Sequence, residues 1–347
     1  MSDGSLDEHV RAMVAWHLSP ETGAPYWIDW ARESGVRPDE IRGFDDLKRL
    51  PRFDVSVLRE DPGLLAPRGL AGQAPFVFET GGTTGAPAQR LSWEDHVLDY
   101  QTLAAQLDPE AFPHGGDWLM LGPTGPRRLR HGIEILARTR GGRCYMLDLD
   151  PRWAKRLERA NDLTGLAAYK EHITDQAVTL LTHREISCVF STPALLESLG
   201  ERVDLSAHGV TGVLCGGTSM GPQSMRFLCE EVLGPDVTLL PTYGNTLMGL
   251  AMASPPRAEA GWSNTYYAPE PRAVLRVVDK DDPDTLVPYD SWGRVELTTL
   301  TREFFAPRML ERDEAIRRRP SAERPWDGVG EVRPLGAGET AIAEGVY

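Results

Sequence analysis

From about residue 75 to residue 241, short apolar runs alternate with amphipathic stretches. "PFVF" (75–78) is followed by a helical period over 93–107, then "DWLML", a helix after His131 and "RCYMLDL". Helices near 152–184, "ISCVF", a helix from Pro193, "GVTGVLC", a helix near 221–233 and "DVTLLP" complete the series. Uniformly apolar strands separated by helices predict a mostly parallel sheet covered on both faces. Residues 1–72 read as short helices broken by Pro20, Pro25, Pro38 and Pro51, a cap with little sheet. Beyond 260 the pattern changes: "RAVLRVVD" and "GRVELTTL" flank the turn-rich "KDDPDTLVPYDSW" and predict antiparallel strands. These shifts predict a cap (1–72), an α/β core (73–260), an antiparallel β unit (261–315) and a Pro-, Gly- and charge-rich tail (316–347) without regular structure.

Composition narrows the class. Of 347 residues, 41% are hydrophobic and 25% charged, as in ordinary globular domains, and no apolar run reaches a membrane span. The N-terminus lacks a signal peptide's apolar core, so the expected location is cytoplasmic. A net charge of −14 argues against non-specific binding to nucleic acid or anionic membranes, so an anionic ligand needs a local site. Cys144, Cys188, Cys215 and Cys229 form no C-x-x-C pair; they read as buried free thiols, with no metal ligands expected.

Two catalytic motifs are tested and set aside. "GTSMG" (217–221) matches G-x-S-x-G, but none of the eight histidines follows Ser219, so the nucleophile lacks its base in the expected order. A Walker A loop requires a lysine that is absent between Lys48 and Lys155.

"ETGGTTGAPAQR" (79–90) packs glycines and threonines behind a strand, a composition suited to cradling phosphates. "GVLCGGT" ends a strand in two glycines, "LLPTYGNTLMG" ends another with Tyr243, Gly244, Asn245 and Thr246, and "TTLTREFFAPRMLERDEA" presents Asp313 after a third. Loops at the carboxyl ends of parallel strands converge on one crevice.

In this order, T-G-G-T-T-G-A-P, G-G-T, T-Y-G-N-T and L-T-R-E-x-x-x-P-R-x-x-x-R-D resemble the adenylate-forming superfamily of acyl- and aryl-CoA ligases. The resemblance is nearest the phenylacetate–CoA ligase branch and the short adenylate-forming proteins of phenazine antibiotic biosynthesis. It implies an α/β fold: mostly parallel sheets layered with helices, plus a small distorted antiparallel β-barrel. It implies activation of a carboxylic acid, aromatic by analogy, by ATP to an acyl-adenylate in natural-product biosynthesis.

Carried over, Thr80, Gly81, Gly82, Thr83, Thr84 and Gly85 cradle the β/γ-phosphates, and Gly216, Gly217 and Thr218 border the adenine. Thr242, Tyr243, Gly244, Asn245 and Thr246 pack along the nucleotide, with Thr246 near the α-phosphate, and Asp313 accepts the ribose hydroxyls. Thr83, Thr84, Thr246 and His131 are the residues expected to take part in catalysis, His131 from the acyl pocket. Three departures stand out. Ala88 replaces the loop's lysine, with Arg90 as its candidate substitute; Leu247 replaces the glutamate that holds Mg²⁺; and no lysine follows Lys280, so the family's C-terminal domain is expected to be lacking. The resemblance therefore implies ATP/AMP binding with Mg²⁺ held through phosphates and water. It also implies hand-over to a partner (a carrier protein, acyltransferase or reductase) or a homodimer contact. Acyl transfer to a thiol as a complete ligase, and a catalytically degenerate nucleotide-binding protein, stay open as alternatives.

Overall fold

The computed structural model describes residues 3–80, 86–125, 127–322 and 324–336. Its elements run α1 (Asp3–Leu18), α2 (Pro25–Ser34), α3 (Val57–Glu60), β1 (Phe76–Glu79), β2 (Gln89–Ser92), α4 (Asp95–Gln106), β3 (Asp117–Leu121), α5 (Arg128–Thr139) and β4 (Cys144–Met146). They continue with α6 (Pro151–Arg159), α7 (Leu163–His183), β5 (Ile186–Ser191), α8 (Pro193–Gly200), β6 (Gly212–Cys215), α9 (Pro222–Phe227), β7 (Thr238–Asn245) and β8 (Gly249–Met252). The last are β9 (Thr265–Tyr266), β10 (Ala273–Val278), β11 (Trp292–Leu300), β12 (Phe305–Arg318) and β13 (Gly328–Pro334).

The central sheet has the order β4-β3-β5-β6-β7-β8, parallel except for β8, which returns antiparallel to β7. Side chains alternate across it with period two. Trp118, Met120, Cys188, Phe190, Leu214 and Leu240 face Tyr100 and Leu103 of α4 and Ile133 and Leu136 of α5. Leu119, Leu121, Val189, Val213, Cys215 and Leu239 face Ile173 and Ala177 of α7, Leu196 of α8 and Met225 of α9. Both faces are dry, which is why these strands read as unbroken apolar runs. The chain passes from β3 to β4 on one side and returns to β5 on the other, so the order reverses between β3 and β5. Ligands of open α/β sheets bind beyond the carboxyl ends of the strands at such a reversal.

A second sheet, β10-β11-β12-β13-β9, is antiparallel throughout. Bulges in the β11–β12 ladder distort it, and β10 also lies against β13. Its core is shared with the N-terminal helices through Val10, Val14, Trp27, Leu47, Leu297 and Phe305. The contact is polar as well: His17 Nε2 bonds the Thr301 carbonyl (2.7 Å), and Trp27 Nε1 donates to that of Phe305 (2.9 Å).

Three expectations are corrected here. Within the stretch read as an irregular tail, residues 316–318 complete β12 and Gly328–Pro334 form β13, because Val329 and Val332 bury their side chains against the sheet despite the surrounding prolines and glycines. The helix expected over 221–233 is α-helical only to Phe227 and ends in a π turn, Leu228–Leu233. Tyr243 to Asn245 and Asp313 lie within strands, not in loops after them, since β8 and β13 extend the pairing of β7 and β12.

Candidate functional site

At the carboxyl edge of the parallel sheet, β7 runs past its neighbours to meet β12 of the second sheet. Two side-chain bridges join them. Tyr243 Oη donates to Asp313 Oδ2 (2.8 Å), and Asn245 Nδ2 donates to Glu311 Oε1 (2.6 Å). Residues two apart on a strand share a face, so each pair of partners is aligned. The same Asn245 accepts from the backbone N–H groups of Leu247 and Met248 (2.9 Å each), which fixes the β7–β8 turn. One asparagine thus sets the turn and places the carboxylate opposite.

The pair of carboxyls is poorly solvated. Burial, with the Asp313 charge adding to it, pushes the Glu311 carboxyl up to about 7, although Asn245 opposes the shift. Burial also raises Asp313, opposed by the Tyr243 hydroxyl, and raises the Tyr243 phenol well above its ordinary value. Glu311 was not singled out from sequence; the alternation in "MLERDEA", which puts 311 and 313 on one face and Arg312 on the other, was the available signal.

Two glycines follow β6 at this edge. Gly216 follows β6, and a Cβ there would stand 2.4 Å from Thr242 Oγ1. Gly217 has φ +93° and is exposed. Thr242 is buried and donates to the Cys215 carbonyl (3.2 Å), tying β7 to β6 under the glycines; Thr218 is half-buried beside them. Gly216 is therefore required by the close approach of Thr242, and Gly217 by its positive φ.

The phosphate-loop expectation is reached at its two ends only. Gly81, Gly82, Thr83, Thr84 and Gly85 lie outside the described residues. Thr80 pairs with Ala88: its N–H donates to the Ala88 carbonyl (2.9 Å) and its hydroxyl accepts from Ala88 N–H (3.0 Å). Thr246 Oγ1 donates to the Glu79 carbonyl (3.0 Å), so two separate motifs meet at the end of β1.

Arg90 does not replace the missing lysine. It is 1% exposed, donating to the Leu247 carbonyl (2.6 Å) and to Asp95 Oδ2 (2.6 Å) from beneath the β7–β8 turn. Its charge is spent inside a buried network in which Asp95 also meets Arg272 and Thr301 Oγ1, while Asp99 bridges Arg272 and Arg128. Leu247 is buried in the core and offers no ligand to a cation. Among the described residues no group of three or more His, Cys, Asp or Glu could hold a metal.

His131 is the fourth residue of α5, half-buried, and packs edge-on to Phe76 (5.3 Å), Phe78 (6.1 Å) and His96 (6.2 Å). Burial, with Arg128 and His131 nearby, holds His96 down to about 4. This aromatic group belongs to the β1–α4–α5 corner; no contact joins His131 directly to the Tyr243–Asp313 pair. A cavity of about 520 Å³ opens at the other end of β7, lined by Cys229, Val237, Leu239 and Trp262; none of the motif residues lines it. Among the described residues no helix is long and apolar enough to cross a membrane.

No family model and no curated protein matches the sequence. Solved structures do. A 2-hydroxyisobutyryl-CoA ligase in the postadenylation state, in complex with R3-HIB-AMP, aligns with a TM-score of 0.69 at 14% identity over 95% of this chain and 66% of that one. The same ligase with 2-HIB-AMP and CoA in the thioesterification state aligns at 0.67, 14% identity, over 95% and 67%. The chain spans about two thirds of that ligase's length. At this identity the likeness is one of fold: a mostly parallel sheet layered with helices, joined to an antiparallel sheet.

Proposed function

We propose that the chain binds ATP across the β7–β12 crevice and activates a carboxylic acid as its acyl-adenylate, releasing pyrophosphate. The observation that carries this is the Tyr243–Asp313 bridge at the carboxyl end of a parallel sheet, near the exposed Gly217. A buried carboxylate held by one hydroxyl accepts a vicinal diol well, because each ribose O–H makes a charge-assisted bond. The glycine edge receives the flat base, and Tyr243 covers it. Thr80, paired with Ala88, and Thr246, bonded to the Glu79 carbonyl, bring hydroxyls to the phosphate end. Complexes of the 2-hydroxyisobutyryl-CoA ligase with acyl-AMP support the same use of this fold.

What these residues do is position and stabilise charge. Asp313 fixes the ribose, the turn set by Asn245 fixes Thr246 against the α-phosphate, and the acid's carboxylate attacks there in line with the leaving pyrophosphate. Mg²⁺, if bound, would neutralise phosphate charge, and the buried Leu247 side chain would offer it no ligand. The acid is an aryl or acyl carboxylate of natural-product metabolism in the manner of the phenylacetate–CoA ligase branch and the phenazine-type proteins. The acceptor is a thiol, on CoA or a carrier protein, or a partner acyltransferase or reductase.

A second reading, nucleotide binding without turnover, is favoured by one observation: both departure positions, Ala88 and Leu247, are filled into the core. Exchange of labelled pyrophosphate into ATP across a panel of carboxylic acids separates the two. Acid-dependent exchange establishes activation; nucleotide binding with no exchange for any acid favours the second.

A further inference from the structure

Neither loop substitute provides a cation for a polyphosphate. Ala88 is wholly buried and Arg90 is locked under the β7–β8 turn. The chain as a whole is acidic, so the leaving phosphates need a specific positive group. The structure places one where the two threonine motifs meet. Glu79, whose carbonyl receives Thr246 Oγ1 and which immediately precedes Thr80, has its carboxylate gripped from two sides. Gln89 Nε2 donates to Oε1 (3.1 Å) and Arg152 Nη2 donates to Oε2. The pairing with Arg152 is the main cause that holds the Glu79 carboxyl below its ordinary range.

Arg152 is the second residue of α6 and comes from outside every motif discussed above. Its side chain is 48% exposed. A guanidinium has five N–H donors, and the bridge to Glu79 engages one nitrogen, leaving the opposite edge to solvent. Arg127 lies near by, exposed, in the loop after β3 where the strand order reverses, and its charge also reaches Glu79. Its backbone sits at φ +67°, an uncommon conformation for a non-glycine residue, at the N-terminus of α5. Glu79, Arg127 and Arg152 together carry one excess positive charge.

We propose that Arg152, held by Glu79 beside the Thr80–Ala88 pair, is the cation that meets the β- and γ-phosphates, with Arg127 flanking it. The inference rests on the nucleotide reading above. Glu79 is the positioning residue: it fixes one edge of the guanidinium and leaves the other in the planar, two-pronged orientation that matches phosphate oxygens. The role of the absent lysine is thereby supplied from another element of the fold.

Calorimetric titration of the full chain with ATP, AMP and pyrophosphate tests this. AMP lacks the β- and γ-phosphates. Arg152→Ala weakens ATP and pyrophosphate binding by about 10- to 100-fold, the worth of a charged hydrogen-bonded contact, and leaves AMP within about twofold. Arg152→Lys keeps part of the ATP affinity. Glu79→Gln keeps an acceptor for the guanidinium and weakens ATP binding less than Arg152→Ala does. The proposal is overturned if Arg152→Ala leaves ATP binding unchanged, if AMP is lost in step with ATP, or if Glu79→Gln weakens ATP as much as Arg152→Ala, which marks a merely structural ion pair. A wild-type protein that binds neither nucleotide removes the nucleotide reading itself, and this assignment with it; one that binds both, alongside an indifferent Arg152→Ala variant, removes this assignment alone.

Discussion

The Tyr243 hydroxyl and the Asp313 carboxylate stand 2.8 Å apart across the seam between the parallel and the antiparallel sheet. The bond keeps a half-buried carboxylate usable: donation from the phenol favours the ionised form that burial disfavours. Tyr243→Phe removes the donor. The Asp313 titration, followed by carboxyl NMR, then moves to higher pH, and urea denaturation shows a loss of about 1–2 kcal/mol for a buried acceptor left unpaired. An unmoved titration contradicts this role for the hydroxyl.

Glu311 makes the seam sensitive to pH. Asp313, Tyr243, Asn245 and Arg312 surround its carboxyl, and its folded value of about 7 lies above the ordinary 4.5. A carboxyl raised on folding contributes its stability fully below pH 4.5, and that contribution is lost as pH rises through 7. Glu311→Gln keeps the acceptor for Asn245 without the charge. Melting curves of variant and wild type coincide near pH 4, and the variant is the more stable at pH 8, by up to about 3 kcal/mol. Equal stability at both pH values removes the assignment of a buried, strained charge to Glu311.

Leu247 is 4% exposed and its carbonyl receives both Arg90 and Thr299. Restoring a glutamate here does not rebuild a magnesium site, because the side chain points into the core. Leu247→Glu destabilises the fold by about 3–5 kcal/mol, the cost of an unpaired buried charge. Tighter Mg²⁺ dependence of exchange activity in a stable variant shows that the side chain can face the ligand.

Arg90 carries the turn rather than the ligand. Arg90→Met strips Asp95 of one partner, and the Thr246 and Leu247 carbonyls of one donor each. A loss of about 3 kcal/mol follows by chemical denaturation. A variant as stable as wild type but with ATP affinity selectively reduced restores Arg90 as a phosphate ligand.

The layered core was legible from sequence because each parallel strand is apolar on both faces and each covering helix keeps its own period, as Trp118 to Leu121 and Ile133 to Ala137 show. β13 was not, because the two apolar side chains that "GVGEVRP" buries, Val329 and Val332, stand three positions apart and fit no period-two pattern, and its partner β12 is close in sequence but patterned by charge. Tyr243, Asn245 and Asp313 were legible as motif residues. Their partners were less so: Glu311 needed the strand register, and Arg152 needs the fold itself, since 73 positions separate it from Glu79. Ion pairs that close over such distances leave no local pattern. Arg90 misled for the same reason: its position in the loop motif suggested a phosphate ligand, and only the placement of Asp95 and the 246–247 carbonyls shows where its charge goes.

The most direct test of the crevice as an adenine-nucleotide site is an AMP titration of wild type and Asp313→Ala by calorimetry, with circular dichroism confirming that both are folded. The account predicts saturable binding of AMP by wild type and an affinity lower by about 1.5–3 kcal/mol, some 10- to 100-fold, in the variant that lacks the ribose acceptor. Absence of AMP binding by the folded wild type, or equal affinity in the two proteins, contradicts it.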